Sequence, residues 1–250
     1  MRWLIALLVM VQTAWAEEVV LGLSQDEVAI TATFDGSDVL IFGAVKREAP
    51  IPDGPPLGVV ITLSGPSEPV MVRRKDRRFG IWVNTDAVEV DLAPSFYAIV
   101  TSAPLSEVLT ETEDLRHKIT IPRAIRSVGA PMDITDAALF SDALIRIRTA
   151  SELYQLVEGG VDVDQQTLFR TSVRLPAALT EGAYSTRIFL TREGAVVSRY
   201  ETVIDVRKVG LERWLYALSR EQPLIYGLMS LAIAIAAGWG ASAAFSLLRQ

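Results

Sequence analysis

The sequence contains no cysteine, one histidine and one asparagine among its 250 residues. Without cysteine, the chain cannot form a disulfide, bind an iron–sulfur cluster through thiolates, attach haem c or use a thiol nucleophile. The single histidine, His117, cannot build the usual zinc sites without cysteine ligands, so we predict a structural or surface role for it. We therefore expect neither a metal site nor a cofactor.

Recognisable catalytic motifs are also missing. The sequence has no Gly-x-Ser-x-Gly or Ser-x-x-Lys motif and no Gly-rich phosphate loop. The acidic groups at 111–114 and 162–164 lack the spacing of a calcium-binding loop. A pair of carboxylates for glycoside hydrolysis cannot be recognised from spacing alone, so a hydrolase remains a minor alternative. We predict a protein without enzymatic activity.

The charge balance and the scarce residues together indicate a cellular location. Basic residues number 24 and acidic residues 30, which gives a net charge of −6 and argues against a nucleic-acid partner. An exported domain from a eukaryotic secretory route would usually carry disulfides or glycosylation sequons, and this chain has neither. A bacterial periplasm fits this composition better.

Both ends of the chain are apolar. Residues 1–16 combine Arg2, an apolar stretch and the small-x-small triplet 14–16, which predicts a cleaved signal peptide; an uncleaved anchor is the alternative. Residues 224–248 carry no charge, and as a helix they would be about 37 Å long against a hydrocarbon core of about 30 Å. We predict a single transmembrane helix over 223–248, preceded by a juxtamembrane segment over 209–222. The bulk would then lie in the periplasm and the C-terminus in the cytoplasm, across the inner membrane.

Small residues recur every four positions in this span, in two series. One contains Ala232, Ala236, Gly240 and Ala244, and the other contains Gly238. Ridges of this kind let a second helix approach closely. We expect packing against another helix, from a second copy or a multi-span protein; an anchor without a partner is the alternative.

Between the two ends, apolar residues alternate in short runs separated by turns. This pattern predicts a mainly β fold of two immunoglobulin-like β-sandwich modules, over 17–104 and 105–208, with one inserted amphipathic helix. A single extended module is the alternative. We expect the helix to run from a cap at Asp133 to Gly159. A short strand should follow His117, and strands 169–174 and 186–190 should each have one wet face.

Two turns carry more specific signals. Tyr184, just after Glu181-Gly182, suggests a tyrosine corner, in which the hydroxyl binds a nearby backbone carbonyl. The residues 192–195 read as a hairpin turn.

The sharpest local feature is a run of five cations in six residues, at Arg73, Arg74, Lys75, Arg77 and Arg78. We expect it between two strands, where it could bind anionic lipid head groups, an acidic partner or a small oxyanion. The alternative is a solvated hairpin tip whose charges protect an edge from aggregation.

Several phrases together resemble the Alph_Pro_TM family of alphaproteobacterial transmembrane proteins. They are Phe34-Asp35-Gly36, Phe42-Gly43-Ala44, Gly80-Ile81-Trp82-Val83-Asn84, Pro94-Ser95-Phe96-Tyr97-Ala98, Leu168-Phe169-Arg170, Leu175-Pro176-Ala177, Glu181-Gly182-Ala183-Tyr184, Tyr226-Gly227-Leu228 and Ala237-Gly238-Trp239. The resemblance covers nearly the whole chain. It implies membrane anchoring, no assigned enzyme activity, and genes often adjacent to sulfite-exporter-type permeases, which makes a transporter a candidate partner.

We therefore predict a non-enzymatic interaction or accessory protein that docks on a multi-span inner-membrane protein. An anion-binding or sensing module built on the basic run is the alternative.

Overall fold

A computed structural model of the chain describes residues 18–24, 27–30, 35–47, 51, 54–127, 136–208 and 211–248. The predicted signal peptide over 1–16 and the predicted helix cap at Asp133 lie outside these residues. In chain order the strands are β1 (Glu18–Leu23), β2 (Glu27–Ile30), β3 (Ser37–Lys46), β4 (Gly58–Ser64), β5 (Ser67–Arg78), β6 (Ile81–Pro94), β7 (Tyr97–Thr101), β8 (Tyr154–Val157), β9 (Asp162–Asp164), β10 (Leu168–Leu175), β11 (Gly182–Arg192) and β12 (Ala195–Lys208). The helices are α1 (Leu105–Val108), α2 (Glu111–His117), α3 (Ile121–Ala124), α4 (Ala137–Ala150), α5 (Leu211–Glu221) and α6 (Pro223–Leu248).

The mainly β fold class is confirmed, since strand residues outnumber helix residues among those that the structure describes. One sheet has the order β1-β3-β10-β9, a second has the order β2-β12-β11-β4-β7-β8, and β5 pairs with β6 in a two-stranded sheet. Both larger sheets combine strands from before and after residue 104. The boundary that we predicted there therefore does not separate two sets of strands, because β3–β10 and β4–β11 are long-range antiparallel pairs. The immunoglobulin-like details stay a prediction.

The core lies around the centre of the six-stranded sheet. Strands β4 and β7 are buried along almost their whole length, which explains their continuous apolar sequences. Strand β10 alternates between exposed and buried residues and has the predicted wet face. The wet face predicted for 186–190 is wrong, since Thr186, Ile188 and Phe189 are all fully buried. Strand β11 is covered because it lies between β4 and β12 and packs on the core that contains Val60 and Tyr97.

Two helix and strand assignments need correction. Helix α4 ends at Ala150, and the residues expected to continue it form strand β8, parallel to β7. Burial of Tyr154, whose hydroxyl donates to the Pro94 carbonyl at 2.9 Å, accounts for the change. The strand predicted after His117 is a turn, because the Asp114 carboxylate accepts the amides of Ile119 and Thr120.

Both specific turn predictions are confirmed. The Tyr184 hydroxyl donates to the Thr180 carbonyl at 2.8 Å. Glu193 and Gly194 form the turn between β11 and β12, with φ of 52° and 75°. A turn with two positive φ values has the twist that antiparallel hairpins require.

The C-terminal apolar sequence forms the predicted helix. Residues Pro223–Ser242 of α6 are long and apolar enough to cross a membrane, and none of the window that defines this span is buried within the chain. Helix α5 occupies the predicted juxtamembrane segment.

Candidate interaction surfaces

The basic run belongs to a strand rather than to a turn. Strand β5 continues through Arg78, and the turn that follows is Phe79-Gly80, with φ of 50° and 85°. The prediction that the cations lie between two strands is therefore wrong: they form the exposed end of β5, next to the hairpin turn, as the alternative of a hairpin tip had it. Because the turn needs only two residues, every cation of the run becomes a strand residue and pairs with β6.

Strand pairing divides the cations between two faces of the hairpin. Successive side chains of a strand point to opposite faces, so Arg73, Lys75 and Arg77 share one face while Arg74 and Arg78 share the other. The five cations therefore do not converge into one receptor. Whether any of them binds an anion or a partner stays a prediction.

The face that carries Arg74 and Arg78 contains its own counter-charges. Arg74 donates to Asp86 through Nη2 at 2.6 Å and also pairs with Asp136, just before α4. Arg78 lies 3.6 Å from Asp76. Hydrogen bonds from Arg74 hold the pKa of the Asp86 carboxyl below its usual range, and hydrogen bonds to Asp86 and Asp136 raise the pKa of the Arg74 guanidinium. Arg74 therefore joins β5 to β6 and to the residue before α4, whereas Arg78 pairs within its own strand.

The opposite face, which we call the cationic face, consists of Arg73, Lys75 and Arg77. Among the described residues, no carboxylate forms an ion pair with any of the three. In the pairing of β5 with β6, the residues directly opposite Arg73, Lys75 and Arg77 are Ala87, Asn84 and Trp82, in that order. The cationic face therefore presents three positive charges in a row, with no ion pair to a described carboxylate.

The two ends of this hairpin are packed differently. Near its base, Val72, Val88 and Val90 are buried against Phe140 and Leu144 of α4, which confirms an apolar face on that helix. The guanidinium of Arg74 lies 5.2 Å from the Phe140 ring centroid, at the edge of this contact. Every residue from 73 to 82 is exposed. We call residues 73–86 the hairpin arm.

The end of the arm is apolar. Phe79 is 106% exposed, Trp82 68% and Ile81 64%. Phe79 also adopts a left-handed backbone conformation, which is unfavourable for a bulky residue and which glycine or asparagine would adopt more readily. Neither burial nor turn geometry explains an aromatic residue at this position.

A second polar cluster, around Arg187 of β11, was not found from the sequence. Its guanidinium donates to the carbonyl of His117 at 2.9 Å, to the Tyr97 hydroxyl at 2.9 Å and to the Thr62 hydroxyl at 3.2 Å. Tyr97 in turn donates to the Ile119 carbonyl at 2.8 Å, and burial raises the pKa of its hydroxyl. These bonds fix the turn between α2 and α3 on the sheet. The alternation around Arg187 suggested a solvated side chain and gave no signal of this role.

His117 belongs to the same packed region. Its ring lies 5.4 Å from the Phe189 ring, and its Nε2 lies 3.3 Å from a Glu113 carboxylate oxygen. These contacts agree with the structural role that we predicted for the histidine.

A cavity of about 410 Å³ lies elsewhere in the strand-built body. Its lining includes the carboxylates of Glu107 and Glu193 and the buried hydroxyl of Thr191. Among the residues that the structure describes, the lining includes no basic residue. No sequence motif indicated it.

The small residues predicted to pack against another helix are open in α6. Ala232, Ala236 and Gly240 are exposed at four-residue intervals, and Gly238 is exposed in the second series. A Cβ atom added at Gly238 or Gly240 would meet nothing within 4 Å. Ala244 lies in the same helix. Whether a partner covers these residues stays a prediction.

Comparison with protein families identifies the chain. The sequence profile of the family described as "Putative transmembrane protein (Alph_Pro_TM)" matches residues 18–246. The chain belongs to this family. The match to Alph_Pro_TM includes both the strand-built body and most of α6, so the span is part of the family pattern. No curated protein matches the chain.

Proposed function

We propose that this Alph_Pro_TM member is a non-enzymatic accessory protein of the bacterial inner membrane. It keeps its strand-built body in the periplasm and docks through α6 on a multi-span protein such as a transporter. The observation that carries the proposal is the open small-residue surface of α6, at Ala232, Ala236 and Gly240. Lipid tails are as apolar as the helix, so close backbone approach is what favours association between helices.

The test uses the full chain in its native membranes. After crosslinking and purification in mild detergent, we expect a multi-span protein in stoichiometric amount. Gly240→Leu or Gly238→Leu should each obstruct one small-residue series and lower the recovered partner by about tenfold, equivalent to about 1.4 kcal/mol. Gly227→Leu is the matched control, because Gly227 lies in the same helix, outside both series, and is equally open.

The possible outcomes separate the candidate partners. Recovery of a second copy in place of another protein would indicate a homo-oligomer held through α6. Recovery of monomer alone, or equal recovery from all three variants, would contradict docking through these residues.

A second candidate function is the capture of a small anion by the cationic face. It is favoured by the lack of a described carboxylate paired with Arg73, Lys75 or Arg77. Thermal unfolding with sulfate, sulfite or phosphate tests it, since a ligand at 100 times its Kd adds about 2.7 kcal/mol. Chloride at equal ionic strength is the control, and equal shifts with chloride would contradict a specific site.

A further inference from the structure

We infer that the arm of the β5–β6 hairpin is a docking surface for an anionic lipid bilayer, with Phe79, Ile81 and Trp82 entering the interface and the cationic face lying on the head groups. This inference concerns a different surface from α6 and does not depend on the proposed docking of that helix.

The first argument is charge. Side chains on one face of a strand recur about every 7 Å, so Arg73, Lys75 and Arg77 form a row about 14 Å long, with one irregularity in the pairing to β6 between Arg74 and Lys75. Lys and Arg near an anionic leaflet are attracted to it, and the attraction grows with the number of cations within a Debye length of the surface. The three residues are exposed and spread along the strand, which suits an extended charged surface better than a single small ion.

The second argument is the apolar tip. An exposed Phe, Ile and Trp at the end of a two-stranded arm would promote aggregation unless another apolar phase covers them. Trp82 lies directly opposite Arg77, so an indole ring and a guanidinium share the cationic face at the same level. Amphipathic aromatic residues of this kind concentrate at the boundary between head groups and hydrocarbon.

The third argument is the order in which apolar and cationic side chains follow one another along the arm. Phe79 stands at the turn, Ile81 lies opposite Arg78, Trp82 lies opposite Arg77, and Lys75 and Arg73 come last. The long Arg78 side chain can extend its guanidinium toward the head groups while its stem stays at the level of Ile81. A bilayer presents the complementary sequence: hydrocarbon at depth and anionic groups above it. An acidic protein surface would match the cations but not the layer of exposed apolar side chains beyond them. Membership of a membrane protein family also ensures that a bilayer is near the chain.

The fourth argument is the backbone at the tip. Phe79 adopts φ of 50°, and the ring is fully exposed, so no packing contact within the chain offsets the strain of this conformation. The two-residue turn itself requires a positive φ at this position, so it is the choice of an aromatic residue that folding does not explain, and residues in such strained conformations occur preferentially at functional sites. The turn holds the aromatic ring outward, where a bilayer would cover it.

The test exploits the absence of cysteine from the chain. Phe79→Cys in the full chain gives one attachment site for an environment-sensitive fluorophore. Glu193→Cys is the matched control, since Glu193 occupies the same position of a turn with nearly the same φ. The labelled chain is placed in nanodiscs of phosphatidylcholine alone or with phosphatidylglycerol. In one experiment the nanodisc itself contains lipids with a nitroxide on the acyl chain. In a second experiment only added vesicles contain these lipids. Together they detect contact of the arm with the bilayer that holds α6 or with a separate bilayer.

We expect the nitroxide to quench the fluorophore at position 79 at least twofold more in the presence of phosphatidylglycerol, and to leave the label at position 193 unchanged. A triple change of Arg73, Lys75 and Arg77 to Gln should reduce quenching to the level with phosphatidylcholine alone. Gln at Arg146, Arg170 and Arg174, which are exposed elsewhere, removes the same charge and should leave quenching intact. Equal quenching in both lipids, or insensitivity to the first triple change, would overturn the inference.

A photoreactive amino acid at position 79 of the full chain in native membranes decides between lipid and protein. Adducts with phospholipid mass support the inference, and adducts with a protein instead of lipid overturn it. Stabilisation by inorganic phosphate without acyl-chain quenching would also overturn it. Neither the quenching nor the photocrosslinking experiment involves Gly238 or Gly240. A failure of the proposed docking through α6 can therefore be distinguished from a failure of this inference.

Discussion

The β5–β6 hairpin and the β11–β12 hairpin close with the same turn but differ in what surrounds it. In each, a bulky or charged residue and then glycine adopt positive φ: Phe79 and Gly80 in one, Glu193 and Gly194 in the other. Strand β11 has hydrogen-bonded neighbours on both sides, and the Gly194 carbonyl accepts the Thr110 amide at 2.9 Å. Strands β5 and β6 pair only with each other among the described strands.

The difference shows that the same local backbone serves two purposes. In β11–β12 the large apolar residues lie in the strand, fully buried, and the turn carries a glutamate. In β5–β6 the aromatic residues lie at and beside the turn and are exposed. Apolar residues therefore stabilise the first hairpin, whereas those at the end of the second are available for contact with another surface.

The largest expected effect contrasts two phenylalanines. Phe189→Ala should lower the free energy of unfolding by about 3–5 kcal/mol, because it removes a fully buried ring from the core. Phe79→Ala should change it by less than about 0.5 kcal/mol, because the ring contacts nothing that folding needs. Urea unfolding of the full chain in mild detergent measures both. A comparable loss for the two variants would mean that the arm is part of the core after all.

The next effect contrasts the two glycines. Gly80→Ala and Gly194→Ala both place a Cβ in a left-handed conformation, which costs about 1–2 kcal/mol. Only at Gly194 would the added Cβ also meet a neighbour, the Thr110 Cγ2 at 2.8 Å, whereas Gly80 has open space. We expect a total loss of about 2–4 kcal/mol for Gly194→Ala, since overpacking adds to the strain. The same unfolding measurement applies, and equal losses would show that the Thr110 contact relaxes freely.

Local signals account for the parts of the structure that the sequence predicted. The Glu193-Gly194 turn, the Tyr184 corner and the apolar α6 each depend on residues close together in the chain. The turn at Phe79-Gly80 was missed because a bulky aromatic is a poor turn residue, and the run of five cations in six residues looked like a loop. The division of those cations into two faces follows only from the register with β6.

Long-range pairings account for what the sequence could not show. The apolar positions of Tyr154 and Val157 fit a helical stripe as well as a strand, and only pairing with β7 decides between them. The pairings β3–β10 and β4–β11 join residues more than 100 positions apart. The local pattern near residue 104 carries no signal of them, and the sequence therefore suggested a boundary there. The role of Arg187 depends on carbonyls supplied by the distant turn after α2.

The smallest effect concerns one carboxylate in each hairpin. Hydrogen bonds from Arg74 lower the pKa of Asp86, and hydrogen bonds from Arg199 and then Ser185 lower the pKa of Glu201. A lowered pKa in the folded state means that the ionised form stabilises the fold. Each contribution is therefore present above the ordinary pKa of about 4 and is lost as the pH falls through the lowered value.

The two hairpins should nevertheless respond differently to acid. Asp86 joins β6 to β5 at the root of an arm whose far end is exposed, so acidification below about pH 4 should lower hydrogen-exchange protection of the arm amides, corrected for intrinsic rates. Asp86→Asn should show that lower protection already at pH 6. In β11–β12 the buried core maintains the pairing, so Glu201→Gln should leave protection unchanged at either pH. If both hairpins lost protection together, the arm would be held by the same core as β11, and the contrast between an embedded and a free hairpin would be wrong.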